Sequence, residues 1–145
     1  MKGKISSTTG RKRLATLWFL GGGMLFAVLV LQSVTGKYDP RVDEAWGWLL
    51  PTLMPSLSLI IGVLVAHAVA PRDRERLVDP YIFWLAFGLS AAYLAAVAFT
   101  VLVQPFVSMD PLELLKRSSL WLGPLQGLVA ATLGVFFTKG EPAKR

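Results

Sequence analysis

Residues 81–103 read YIFWLAFGLSAAYLAAVAFTVLV, twenty-three positions without an aspartate, glutamate, lysine or arginine. A helix of this length rises about 34 Å, enough to cross a hydrocarbon core of about 30 Å. A helix on a soluble core would interrupt such a run with a polar face every 3.6 residues, and this one does not. Asp79-Pro80 stands directly before the run. Aspartate is a good N-cap and proline fits the first helical position, so the run has a defined start.

Outward from this stretch, three more uncharged runs of similar length appear: Leu14–Thr35, Leu49–Ala70 and Ser119–Thr138. The 145-residue chain is 54% hydrophobic and only 17% charged, against about 25% charged in soluble domains. The sequence therefore predicts an all-α, polytopic membrane protein: a four-transmembrane-helix bundle with spans 14–35, 49–70, 81–103 and 119–138. A basic cytoplasmic tail (1–13) precedes the 14–138 membrane domain and a short basic tail (139–145) follows it. The first run is read as a retained anchor. Its apolar stretch of about 18 residues exceeds the roughly 7–15 of a signal peptide's apolar region, and Gln32-Ser33-Val34-Thr35 offers no small-x-small cleavage site.

The lysines and arginines set the orientation. Eleven lie in the two tails and the 71–80 loop, against four in the 36–48 and 104–118 loops (Lys37, Arg41, Lys116 and Arg117). The richer side is expected to be cytoplasmic, with both termini inside a bacterial cytoplasmic (inner) membrane. The formal charge of +6 then belongs to topology and to contact with an anionic inner leaflet, and no nucleic-acid partner is expected.

Chemistry is sparse. There are no cysteines and one histidine, so disulfides, thiolate metal sites and His-built metal sites within one chain are excluded, and no cofactor is expected. Ser56, Ser58, Ser90 and Ser119 share a single base candidate, His67, expected at the opposite membrane face, so the chain is not expected to be an enzyme. Gly21-Gly22-Gly23 lies inside a span and is no phosphate loop. Size and span count resemble those of small multidrug-resistance transporters. Their essential first-helix glutamate, however, has no equivalent between Leu14 and Thr35.

The residues left to carry function are polar or small. Pro55 removes a helical hydrogen bond and frees a carbonyl one turn earlier. Together with Gln126, Ser56, Ser58 and Tyr93 it marks a polar packing patch or a pore lining. His67, near the cytoplasmic end of its helix, is the candidate gate; the plainer reading is an interfacial histidine reaching water. Small residues at four-residue spacing allow close helix approach. Gly62, Ala66, Gly88, Gly123 and Gly127 are the candidate packing positions, either within one chain or between copies in a homo-oligomer. Arg72, Arg74 and Arg76 alternate with acids in a short loop and are the candidate docking site for a soluble cytoplasmic partner.

Asp39-Pro40 and Asp110-Pro111 are each expected to open a short interfacial helix or turn, with Leu112–Arg117 as a brief amphipathic segment. Trp46, Trp48 and Trp121 at the outer boundary, and Trp18 and Trp84 at the inner one, read as aromatic belts. Trp48-Leu49-Leu50-Pro51 and Trp121-Leu122-Gly123-Pro124 echo each other. A duplication would relate the two halves about an axis along the membrane normal, while a shared interface gives the same echo by chance.

Three functions suit these features. The first is a small pore-forming or membrane-perturbing effector that oligomerises under control of a cytoplasmic partner. The others are an anchor or accessory subunit of a larger transport or signalling complex, and a facilitative channel or carrier for a small neutral solute.

Overall fold

In the computed structural model, which describes residues 5–69, 76–138 and 141–142, four helices account for most of the described residues. They are α1 (Ser7–Val34), α2 (Val42–Val69), α3 (Pro80–Leu102) and α4 (Pro111–Thr138). All four are long and apolar enough to cross a membrane. At 28 residues, α1, α2 and α4 are about 42 Å long, so each outreaches the hydrocarbon core.

Local chemistry explains most boundaries. α1 ends in a Schellman turn. Gly36 takes a left-handed φ of +74°, its N–H donates to the Ser33 carbonyl, and the Lys37 N–H donates to the Gln32 carbonyl. α3 begins as the sequence predicts, with the Asp79 carboxylate accepting from the Tyr81 N–H at 2.9 Å and Pro80 in the first turn.

α2 and α4 begin seven and eight residues before the uncharged runs. Asp43 and Glu44 in the first turn of α2, and Glu113 in that of α4, suit the positive end of a helix dipole. Asp110-Pro111 thus opens α4 itself rather than a separate interfacial helix, and Leu112 and Leu115 are core residues. Two ion pairs join these starts, Arg41 to Asp110 at 3.1 Å and Lys116 to Glu44 at 2.6 Å.

At the other end, three strand fragments make a small antiparallel sheet: β1 (Ile5–Ser6), β2 (Arg76–Val78) and β3 (Glu141–Pro142), with β2 central. The strands before α1, before α3 and after α4 therefore meet at one end of the bundle. The sequence suggests only loops here, because strands of two or three residues carry no periodic signal.

α1 packs against α2 and α3, and α4 packs against α2 and α3. The two hairpins thus lie side by side, with α1 beside α3 and α2 beside α4. A two-fold axis along the bundle would set those pairs diagonally opposite, so the echo between the halves does not reflect such a symmetry.

The core runs the length of the bundle, from Phe83 and Phe136 through Trp18 and Tyr93 to Leu49 and Leu115. Outside it, large apolar side chains such as Met24, Leu31, Val65, Trp84 and Leu120 are exposed. A surface of this kind suits lipid. The tryptophans divide between roles. Trp84 and Trp121 face outward, but Trp18 is fully buried against Tyr93, with ring centroids 5.9 Å apart. Trp48 is buried and donates its indole N–H to Ser118 Oγ at 3.1 Å. Neither Trp18 nor Trp48 belongs to a belt. Depth in the sequence sets their level, and the helix face they occupy turns them inward.

Candidate functional site

The polar centre of the bundle is built on the two prolines of α2. Pro55 has no N–H, so the carbonyl four residues earlier, that of Pro51, loses its helical donor. In an apolar interior that oxygen needs another. Gln126 supplies it from α4: its side-chain amide donates to the Pro51 carbonyl at 3.2 Å and to the Thr52 carbonyl at 3.3 Å. Tyr93, fully buried on α3, donates its hydroxyl to the same Thr52 carbonyl at 2.8 Å. One turn of α2 thus receives donors from both α3 and α4, and Gln126 and Tyr93 meet at the stretch of α2 that Pro55 leaves short of a donor.

Ser56 and Ser90 lie in the layer beneath. α2 and α3 run antiparallel, so Ser56, four residues beyond Thr52, and Ser90, three before Tyr93, fall at nearly the same depth. Both are buried, and neither hydroxyl has a hydrogen-bond partner among the described residues. The indole N–H of Trp18, stacked on Tyr93, is likewise unpartnered there. Ser58 does not join this group: it is exposed on the outside of α2. The Thr52 carbonyl, Trp18 and Ser90 go unmarked in the sequence as members of the cluster. The i−4 offset from Pro55 identifies the freed carbonyl alone.

A second polar cluster closes the loop end. Tyr38 is buried between Gln32 and Gln104, with its hydroxyl 2.7 Å from Gln32 Oε1 and 3.0 Å from the Gln104 side chain. A phenol has one proton. It is shared between the two amide oxygens, Gln32 Oε1 at the shorter distance and Gln104 Oε1 at the longer, while the Gln104 NH2 has no partner among the described residues. Burial pushes the Tyr38 phenol above its ordinary range, against a smaller opposing effect of the Gln104 hydrogen bond. Beside it, Lys37 is lowered by desolvation.

His67 sits exposed near the end of α2, its Nδ1 N–H donating to the Val63 carbonyl at 2.9 Å. It faces outward, away from the central cluster. Arg72 and Arg74 lie outside the described residues, and Arg76 opens β2.

The small residues separate into two sets. A methyl group built on Gly10 would come within 2.9 Å of Phe136 and 3.1 Å of Phe83, and one on Gly21 within 2.9 Å of Leu94. These two glycines of α1 hold the bundle tight, and Gly10, inside the basic tail of the sequence, gives no sign of it there. A methyl on Gly62, Gly88, Gly123 or Gly127 would meet nothing within 4 Å, and Ala66 is exposed. The candidate packing positions on α2, α3 and α4 are therefore not packed against other described residues.

No protein-family model, curated protein or solved structure matches the chain.

Proposed function

We propose that this is a non-enzymatic integral membrane protein that works by self-association. In its most concrete form it is a small pore-forming or membrane-perturbing effector of the bacterial cytoplasmic membrane, with both termini inside, acting under control of a soluble cytoplasmic partner. The observation that carries this reading is the outward direction of Gly62, Gly88, Gly123 and Gly127, where an added methyl meets nothing within 4 Å among the described residues, together with the exposed Ala66. In lipid, close approach of helix backbones at small residues is the main source of association. Trp18, Tyr93, Phe83 and Phe136 fill the interior of one chain, so a conduit belongs between copies. The Arg72–Arg76 loop is the docking site for the partner.

Gly62→Leu and Gly127→Leu test the reading. Both side chains enter open space, so the chain folds, and the mass in mild detergent is expected to fall toward that of one protomer. Dye leakage from vesicles holding the wild-type protein should fall in parallel. Unchanged mass in both variants refutes self-association through these faces. Wild-type vesicles that stay tight while a soluble enzyme co-purifies would instead identify an anchor subunit.

A further inference from the structure

Along the seam between α1 and α2 a furrow opens on the outside of the bundle. Its deeper part, a cavity of about 180 Å³, is lined by Phe19, Gly22, Gly23, Phe26, Leu53 and Leu57 among others. Its upper part, about 450 Å³, is lined by Lys12, Thr16, Phe19, Leu20 and Leu64. Phe19 belongs to both parts, and the α1 residues involved (12, 16, 19, 23 and 26) follow the three- and four-residue spacing of a single helix face. The two parts therefore lie on the same seam and meet at Phe19. The furrow exists because Gly22 and Gly23 place no side chains between the rings of Phe19 and Phe26. From Lys12 to Gly23 it extends about 17 Å at the helical rise, comparable with half of a hydrocarbon core of about 30 Å.

We propose that this furrow binds one anionic phospholipid per chain, with an acyl chain lying over Gly22-Gly23 and the phosphate at Lys12. The inference rests on the membrane placement above, with the terminal end of the bundle in the anionic leaflet. The walls of the deeper part are almost wholly apolar, whereas its mouth carries the exposed cation Lys12 with exposed Arg13 beside it. α1 itself carries no acid, and the first acid of the sequence, Asp39, lies at the opposite end of the bundle; the described acids at the terminal end, Asp79 and Glu141, sit beside β2 and on β3 rather than in the lining of the furrow. Charge also decides between a lipid and a second copy of the chain. A copy inserted in the same direction presents its own Arg11, Lys12 and Arg13 at the same depth and is repelled, while an anionic headgroup is attracted.

The full chain is placed in nanodiscs of equimolar phosphatidylglycerol and phosphatidylcholine, and the lipid retained after release is identified by native mass spectrometry. One phosphatidylglycerol per chain is expected in clear excess over phosphatidylcholine. Lys12→Gln should lower that preference about fivefold, the loss of one surface cation. Gly23→Leu fills the furrow without a clash, since nothing lies within 4 Å of its added carbon, and should expel both lipids. Retention in bulk proportion by the wild type, an unchanged preference in Lys12→Gln, or lipid still held by Gly23→Leu overturns the proposal. So does a Gly23→Leu variant that loses oligomeric mass and keeps its lipid, because the furrow is then a contact between copies. Failure of the wild type to enter nanodiscs at all refutes the membrane reading itself.

Discussion

The hydrogen bond from Gln126 has a purpose that a double-mutant cycle isolates. Its amide answers a carbonyl that exists unpaired only because residue 55 is proline. Replacing Gln126 by leucine removes donors at 3.2 and 3.3 Å. Both distances are long, and interhelical hydrogen bonds in membranes average about 0.6 kcal/mol, with a maximum near 1.7. The Pro51 carbonyl, on the outward side of α2, is then left without a donor, and in an apolar surrounding an unsatisfied polar group costs about 1–3 kcal/mol. Gln126 is itself only half-buried, which favours the low end, so Gln126→Leu should cost about 1.5 kcal/mol. In a Pro55→Ala background the alanine N–H donates to Pro51 in the ordinary helical way. Thr52 keeps the Tyr93 hydroxyl, and the same leucine should cost only about 0.5 kcal/mol. The coupling is therefore about 1 kcal/mol. Equilibrium unfolding in bicelles, followed by tryptophan fluorescence, measures all four corners. The cycle cancels whatever leucine gains from contact with lipid and whatever alanine does to the bend of α2. Equal costs in the two backgrounds would refute the idea that Gln126 exists to satisfy the carbonyl freed by Pro55.

Other substitutions read the packing directly. Gly10→Ala presses a methyl between two buried rings and should cost about 1 kcal/mol after its gain in helix propensity. Gly21→Ala meets only the movable end of Leu94 and should be near neutral; equal unfolding midpoints for the two would contradict the contrast. Tyr93→Phe should cost about 1 kcal/mol, whereas Ser90→Ala removes an unpartnered buried hydroxyl and should be neutral or stabilising. A clear loss of stability in Ser90→Ala would reveal a partner for that hydroxyl. At the loop end, the phenol of Tyr38 is raised on folding. Its contribution is therefore complete below the ordinary tyrosine value near 10 and is lost as pH rises through the higher folded value. Unfolding measured across that range should show a loss in the wild type that Tyr38→Phe lacks.

The fold was legible where a physical rule reaches along the chain. Uncharged runs mark spans because lipid excludes charge, and Asp79-Pro80 marks a start because capping is local. α1, α2 and α4 start before their uncharged runs because a charged residue ends the apolar run without ending the helix. Backbone hydrogen bonding continues into the interface, and Asp43, Glu44 and Glu113 favour it there. The pairing of Gln126 with the carbonyl freed by Pro55 was foreshadowed for a similar reason: the i−4 offset is fixed chemistry, and only the approach of α4 had to be supplied by the fold. Trp18 and Trp48 show what the sequence withholds. Their level follows from counting, but whether they face lipid or core depends on the rotation of each helix, which the near-uniform apolarity of the spans conceals. The glycines divide for the same reason. Spacing alone identifies faces that permit close approach, and Gly10 and Gly21 lie on the faces that use it within the chain.

The division of the glycines leads to a last prediction with two opposite signs. In a helix, glycine is about 0.5–1 kcal/mol less favourable than alanine because its backbone is freer when unfolded. For Gly10 and Gly21 that cost is offset inside the chain by the close contact each permits. For Gly62 and Gly127 nothing among the described residues offsets it, since their added carbons meet only open space there. Alanine at either position should therefore stabilise the isolated protomer by about 0.5–1 kcal/mol in monomeric detergent conditions. If the compensation lies between copies, the same alanine should weaken self-association, because an added methyl holds two backbones apart. Unfolding of the protomer and association monitored by energy transfer between labelled copies read the two effects separately. A gain in the first with a loss in the second is the signature of a face built for another helix. A gain in both would mean that the glycines face lipid alone, and the self-associating mechanism would lose its physical basis.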